Sequence, residues 1–438
     1  MSIHINDLCC DLLIYLFNFL PNKQLFVIEF VCKKWKVSAN RLMEKRITEL
    51  NLDEYGRYFQ IDISKDYTSW WCTINYSNIN YVYAILSKCP NIRHLDLVGT
   101  FVSVNYLIAI ANSCPKLRCI SFGHIEIGLQ EWEQFARMFG PKLIQVNFYF
   151  ITKEFNSNLY MTIMFSQAKN LEEVIFGTDD KETARQLFSQ LNLCKDLKKI
   201  EWRRAKYHHL DLSNENMIKV MQRINFLDID AYYFEQFNFE MKNLTELILN
   251  DWVKVRFDNK LKMTLPNLTK LTLKGYIDSK YSFANMKFPQ LKHLSVYNVI
   301  ERKEIHSFLR QNNQIECFEC FGCSFKVDTI LMLKNLVNFN YDFFIFTKDH
   351  LNYFVESIYV FPEHKSLQNI KLIVNDSFLL SDFFDELIKF QKLMKQMKPN
   401  CHIEIVIKCY KYEVSSKYRK NYEETRHLTK ANLQTKQY

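Results

Sequence analysis

The sequence predicts an α/β solenoid, with a short helical unit in front of a curved parallel sheet whose strands lie inside and whose helices lie outside. Three observations predict it. A pattern Leu/Ile-x-x-apolar-x-apolar returns from residue 86 onward at intervals of roughly 20 to 30 residues, the period of stacked repeats. A small preface precedes many copies, as in Cys89-Pro90-Asn91, Cys114-Pro115-Lys116 and Gly140-Pro141-Lys142. The first residues carry a different periodicity, that of an amphipathic helix.

Residues 6 to 36 read NDLCCDLLIYLFNFLPNKQLFVIEFVCKKWK. Leu8, Leu12, Leu16 and Leu20 recur at every fourth position with Leu13 and Phe17 beside them, which lays a broad apolar stripe along a helix. Asn6 and Asp7 are placed to cap its start, and Pro21 to mark its end. A second apolar run, Leu25 to Phe30, leads into Val31-Cys32-Lys33-Lys34-Trp35. Three short helices in about 45 residues bury too little surface to stand alone. Such a unit needs the following domain, a partner, or both.

The repeats come next. Ile92/Leu95/Leu97, Leu117/Ile120/Phe122 and Leu143/Val146/Phe148 start a series that closes at Leu367/Ile370/Leu372. The last three positions of each copy alternate, so each is a short strand with one buried face. Helical stretches such as Val104–Ile110 and Trp132–Met138 lie between them. A single strand–helix pair cannot bury its own apolar side, but a stack can. Thr48–Leu52 and Cys72–Tyr76 fit as two earlier, irregular copies, and Ile403–Ile407 as a last strand after a helix over Phe383–Met397. The expected divisions are 1–47 (helical unit), 48–85 (linker with irregular first repeats), 86–408 (repeat array) and 409–438 (polar tail).

Composition narrows the function. The net charge of +9 is carried mostly by scattered lysines, with no dense arginine stripe, which argues against nucleic-acid binding. Thirteen cysteines, an odd number spread through a long chain, do not suit a disulfide framework and point to reduced thiols in the cytoplasm or nucleus. Residues 12 to 20 lack the basic segment and cleavage site of a signal peptide, and no apolar run reaches membrane-spanning length.

No GxGxxG, GxxxxGK[ST], GxSxG or HExxH occurs, so neither catalysis nor a cofactor is expected. Cys317, Cys320 and Cys323 have metal-like spacing, yet the repeat register puts Cys317 and Cys320 on opposite faces of one strand. His208 and His209, with Asp211 nearby, lack a fourth ligand at finger-like spacing. No metal is expected. The residues flanking the strand anchors are expected to face solvent and to hold a target protein. They include His94, Asp96, Asn147, Tyr149, Lys199, Glu201 and Arg203, then Phe226, Asp228, Lys270, His293 and Tyr297. Mixed polar and aromatic surface of this kind suits protein recognition.

The N-terminal run, from Leu8-Cys9-Cys10-Asp11-Leu12-Leu13 through Pro21 to Val31-Cys32-Lys33-Lys34-Trp35, resembles an F-box. The family opens Leu-Pro-x-Glu-Ile/Leu-Leu and closes Val-Cys-Lys/Arg-x-Trp. The close is intact here, while Cys9 and Asp11 stand where proline and glutamate are usual. Proline pre-sets a helix start, so its absence weakens that start slightly. The array resembles leucine-rich repeats, with the family's Asn/Cys turn position kept at Cys323 and Asn375 but held by Ile125, Trp252, Tyr276 and Val299 in other copies. The resemblance implies a substrate receptor of an SCF-type (cullin-RING) ubiquitin ligase. The helical unit would dock a Skp-family adaptor through Leu8, Leu12, Leu13, Leu16, Phe17, Leu20, Val31, Cys32 and Trp35 or their support. The alternatives are a repeat scaffold that directs no ubiquitylation and, from net charge alone, a nucleic-acid-associated repeat protein.

Overall fold

Most strands of the array are started by the same device. The amides of two consecutive residues donate to one carbonyl of the preceding repeat. Arg118 and Cys119 both donate to Arg93 O at 2.8 Å, Glu172 and Glu173 to Ile144 O at 2.8 and 3.2 Å, and Lys292 and His293 to Thr269 O at 2.9 Å. The device sets register without any side chain, which explains how so degenerate a repeat stacks regularly.

The computed structural model describes residues 8–51, 86–125, 127–149, 157–178, 181–203, 214–234, 237, 239–250, 265–274, 286–297, 302–321, 327–345, 361, 364–376 and 381–409. The chain packs as two units, 1–229 and 230–438. The first begins with helices α1 (Cys10–Phe17), α2 (Asn22–Ile28) and α3 (Lys33–Arg46). Parallel strands then pair in chain order: β1 (Glu49–Asn51), β2 (His94–Val102), β3 (Cys119–Ile125), β4 (Gln145–Phe148), β5 (Glu173–Phe176), β6 (Lys199–Trp202) and β7 (Phe226–Asp230). Between them run α4 (Val104–Ser113), α5 (Leu129–Phe139), α6 (Ser157–Gln167), α7 (Lys181–Leu191) and α8 (Glu215–Arg223).

The register aligns Leu95, Ile120, Val146, Val174, Ile200 and Leu227 in one buried column. A second column is aromatic: Phe122 stacks on Phe148 at 5.5 Å, and Phe176 on Trp202 at 5.7 Å. The helices turn matching stripes inward, such as Trp132, Phe135, Ala136 and Phe139 of α5 at helical spacing. Trp132 Nε1 donates to Tyr160 O at 2.9 Å, and the Tyr160 hydroxyl donates to Ile127 O, which fastens α5 to α6. Gly140 is required at the turn after α5, because a Cβ there would lie 2.7 Å from Gln167 Cβ and 3.0 Å from the Gln167 backbone carbon.

The second unit repeats the plan with a short helix, α9 (Ala231–Phe234), then β8 (Glu246–Asn250), β9 (Lys270–Lys274), β10 (His293–Tyr297) and β11 (Cys317–Phe321). After these come β12 (Asn338–Ile345), β13 (Asn369–Asp376) and β14 (His402–Cys409), with α10 (Arg302–Gln311) and α11 (Ser381–Met397) among the connections. The α/β repeat solenoid expected from the sequence is therefore the fold, with parallel strands and helices on one side of them. Cys317 and Cys320 fall on opposite faces of β11, with Cys317 in register with His293 and Cys320 with Val296.

Three details differ from expectation. The first helix begins at Cys10, after an extended Cys9 that makes no side-chain cap bond, and ends at Phe17, so Pro21 heads α2 instead. Buried polar side chains also stand three residues before the strand anchors, at Cys89, Cys114 and Cys194 in the first unit and at Asn312 and His364 in the second. Asn312 receives Phe288 N at 2.7 Å and donates to Met286 O and Phe308 O at 2.8 and 2.9 Å. Cys194 Sγ reaches Ala168 O at 3.2 Å and His364 Nε2 reaches Leu333 O at 2.8 Å, the same link one repeat back. Third, polar residues on the open face of the sheet, Asn147, Glu201 and Asp228 among them, are buried. The caps Asn6 and Asp7, the copy at 72–76, the turn residue Cys323, His208, His209, Asp211 and the tail 410–438 lie outside the described residues.

Candidate interaction surfaces

The helical unit is built from the inside out. Leu13 and Phe17 of α1, Leu25 and Phe26 of α2 and Ala39, Leu42 and Met43 of α3 form its buried base. Trp35 is half-buried and meets Phe17 edge-on at 5.1 Å. Arg46 Nη1 donates to Asn18 O and Leu20 O at 3.3 and 3.1 Å, closing the C-terminal end of α1. Cys32 is the extended residue from which α3 starts, its carbonyl receiving Lys36 N at 2.9 Å.

With that base filled, the remaining apolar residues point outward. Phe19 and Phe30 are each 72% exposed, Tyr15 61%, Val27 58% and Val31 56%, with Leu12 and Leu16 beside them at 43% and 39%. Of the residues named from sequence, Leu12, Leu16 and Val31 therefore stand on the surface and Leu13 and Phe17 beneath it, while Leu8, Leu20, Cys32 and Trp35 are intermediate. Tyr15, Phe19, Val27 and Phe30 were missed. The signal was present, since helix α1 is apolar almost all round and only one side can face α3. Apolar surface this concentrated on a small unit is of the kind that interaction sites use.

The unit is fastened to the array. Glu29 is buried, and Lys88 Nζ lies 2.5 and 2.6 Å from its two carboxylate oxygens. Asn91 Nδ2 donates to Glu44 O at 2.9 Å, and Arg93 N and His94 N donate to Thr48 O at 2.7 and 3.1 Å.

The second surface is the sheet face opposite the helices. Its middle row is not solvent-facing as the alternation alone suggested. Asn147, Glu201 and Asp228 are 5%, 8% and 5% exposed, and Thr272 and Ser295 of the second unit are similarly buried. The cause is the close spacing of parallel strands, about 4.8 Å, which lets long side chains of the flanking rows cover a short middle residue. Glu201 shows this. Lys199 Nζ lies 3.3 Å and Arg203 Nη2 2.5 Å from its carboxylate. Lys199 also lies 4.8 Å over the Phe226 ring, and Arg203 5.1 Å over the Tyr149 ring. Asn147 Nδ2 donates to Ser121 Oγ at 3.0 Å. His94, Arg203, Lys270 and His293 are exposed, and Asp96, Tyr149, Lys199, Phe226 and Tyr297 are intermediate. Tyr297 stacks on Phe321 at 4.3 Å, a pair the sequence reading did not name.

In the first unit this face carries Glu49, Asp96, Glu173, Glu201 and Asp228 against Lys199 and Arg203. It is acidic in a chain of net charge +9, which does not suit a phosphate backbone. Nor does it suit nucleophilic chemistry. Cys119 Sγ lies 3.7 Å from His94 Nε2, but burial, helped by Glu173 and Glu49, pushes the thiol up to about 11. Among the described residues no group of three or more His, Cys, Asp or Glu could hold a metal ion. No described helix is long and apolar enough to cross a membrane.

No family model and no curated protein matches the chain. Among solved structures it is similar to the Rad7–Elc1 complex of yeast, with 12% identity, a TM-score of 0.42 and coverage of 74% of this chain and 77% of that one. It is also similar to the leucine-rich repeat-containing protein LegL7 of Legionella pneumophila, at 13% identity, TM-score 0.37 and coverage of 73% and 95%. The Toll–Spatzle complex of Drosophila follows at 11% identity, TM-score 0.37 and coverage of 75% and 49%.

Proposed function

We propose that this chain is a substrate receptor of an SCF-type cullin-RING ubiquitin ligase. The observation that carries the reading is the apolar ridge of the helical unit, exposed above a fully packed base and continuous with the Val31–Trp35 segment. The ridge docks a Skp-family adaptor, and through it the ligase. The sheet face holds a target protein. The receptor makes and breaks no bond itself. It raises the effective concentration of target lysines near the charged conjugating enzyme, in the cytoplasm or nucleus.

The test separates docking from folding. Leu12→Ala with Leu16→Ala removes surface side chains and abolishes adaptor pull-down while leaving thermal stability within about 1 kcal/mol. Leu13→Ala, at a site with 0% exposure, costs about 2–5 kcal/mol of stability. Adaptor pull-down unchanged in the Leu12/Leu16 double variant rejects the docking ridge. Partners trapped under proteasome inhibition then separate receptor from scaffold: ubiquitylated proteins in excess over the double variant support the receptor, and none in excess supports the scaffold.

A further inference from the structure

Among the described residues the stack of the second unit ends at β14, and this last layer is covered less than the others. Strand β14 pairs with β13 on one side, and no described strand lies along its other edge. In the column from Leu247 to Ile370 every anchor is at most 2% exposed, whereas Ile403 at its end is half-buried. The last helix has the same gap. In α11, Phe390 and Met394 are buried, and Lys398, one turn on, reaches back to Lys365 O and Leu367 O of the preceding repeat at 3.3 and 3.4 Å. At about 100° per residue, Leu393 and Met397 stand on the other flank of that stripe, away from the preceding repeat. Leu393 is half-buried and Met397 is 56% exposed.

Natural proteins ordinarily shorten, break or cover an edge strand that is long and apolar. Strand β14 spans eight residues, HIEIVIKC, without proline. Its ladder to β13 uses alternate residues. His402 N donates to Gln368 O at 2.7 Å, so the amides and carbonyls of residues 402, 404, 406 and 408 face β13, and those of 403, 405, 407 and 409 face the outer side. An added antiparallel strand satisfies those outer groups, and mixed sheets commonly carry one at the edge of a parallel set.

We infer that the outer edge of β14 is an interface with a second copy of this chain, the two β14 strands running antiparallel about a two-fold axis at Val406. Only residues with outward groups can exchange hydrogen bonds, so 403, 405, 407 and 409 must meet one another. An axis at Val406 sets Ile405 opposite Ile407 and Ile403 opposite Cys409, and it sets Glu404 opposite Lys408 twice over. An axis at Glu404 brings carboxylate against carboxylate, and one at Ile405 leaves both charges unmatched. The strand is thus complementary in charge to its own reverse, which is what an isologous dimer contact requires. Glu404 keeps 47% side-chain exposure while Lys371 Nζ lies 2.9 Å from it, so it can hold a second cation. Leu393 and Met397, at the same end of the stack, add apolar area beside the paired strands. The inference goes beyond the proposed function and stands whether or not the helical unit docks an adaptor.

The experiment is sedimentation equilibrium of the full chain over a range of concentrations. Wild type is expected at twice the chain mass at the upper end, dissociating on dilution. Glu404→Lys sets cation against cation at both pairs, and Lys408→Glu sets carboxylate against carboxylate. Each raises the dimer Kd by about 10- to 100-fold. An equimolar mixture of the two variants matches every charge again and restores the wild-type dimer, an outcome that mere damage to β14 would not give. Circular dichroism with a urea midpoint verifies that both variants fold. Val406→Cys gives a second readout that needs no charge change. It sets two thiols at the axis, about 4.5 Å apart between Cα atoms, and yields a reducible covalent dimer on mild oxidation that wild type does not. A wild-type chain that stays monomeric at all concentrations overturns the inference. If deletion of residues 410–438 then produces dimers, that segment of the same chain is what covers the edge. A dimer that neither charge variant weakens, weakened variants that do not recover on mixing, or no cross-link through Val406→Cys also overturns it.

Discussion

The Glu29–Lys88 pair fastens the helical unit to the first repeat, and its two halves are buried unequally. The Glu29 side chain is 6% exposed and that of Lys88 20%. Lys88→Met strands a carboxylate with little access to water, which costs about 3–5 kcal/mol at a fully buried site and, with the slight access left here, about 2.5 kcal/mol. Glu29→Gln keeps a hydrogen-bond acceptor and leaves an ammonium that can swing toward solvent, for about 1 kcal/mol. With both changes no charge is stranded, and the double variant costs about 1 kcal/mol. The coupling is then about 2.5 kcal/mol, within the range for contacting residues. Urea unfolding of the four proteins, with hydrogen exchange read in α1 to α3, measures it. A coupling below about 0.5 kcal/mol, or Glu29→Gln costing more than Lys88→Met, refutes the reasoning that desolvation of the carboxylate dominates.

Other outcomes follow from the same physics. Asn312→Ala leaves Phe288 N–H and the Met286 carbonyl without this partner at a site with 0% exposure, while Phe308 O keeps the residue 312 amide, and lowers the urea stability of the second unit by about 2–3 kcal/mol. Gly140→Val drives a side chain into Gln167 and its backbone, lowering the melting temperature by an amount equivalent to about 1–3 kcal/mol. Burial disfavours the His364 imidazolium, so its pKa lies below 6.5, with the Leu333 carbonyl only partly offsetting this. The unfolded chain then takes up the proton first, and the His364 contribution is intact above about pH 6.5 and lost as pH falls toward the folded value. His364→Gln flattens that part of the stability–pH curve. Burial pushes the Cys89 and Cys114 thiols up to about 12, so iodoacetamide at pH 8 labels exposed Cys9 in the native protein and reaches those two only after unfolding.

Much of the fold was legible because repetition multiplies a weak signal. One Leu-x-x-Leu-x-Leu could be a strand or a turn of helix. A dozen copies at a near-constant period leave only a stack, and the observed columns, Leu247 to Ile403 among them, follow the predicted anchors. The turn chemistry was not legible. Polar links were sought after the anchors, at the family's Asn/Cys position, whereas Asn312, His364 and Cys194 make them before the anchors. Cysteine, asparagine and histidine share no hydropathy, so only their common place against the carbonyls of the preceding repeat reveals one role.

The candidate sites divide the same way. The N-terminal stripe was read correctly as apolar, but Leu12 and Leu13 are neighbours of equal hydropathy with opposite fates, one outward and one at 0% exposure. Periodicity says that a helix has an apolar face. It cannot say which face α3 will cover when nearly every face is apolar. On the sheet, alternation assigned Asn147, Glu201 and Asp228 to the open side, and strand spacing with long neighbouring side chains then buried them there. By itself the sequence determined the repeat, its strand anchors and the presence of a helical unit, because those depend on local pattern summed along the chain. The tertiary structure decided which apolar residues remain for a partner and where Glu29 finds Lys88, because each depends on what a distant segment covers.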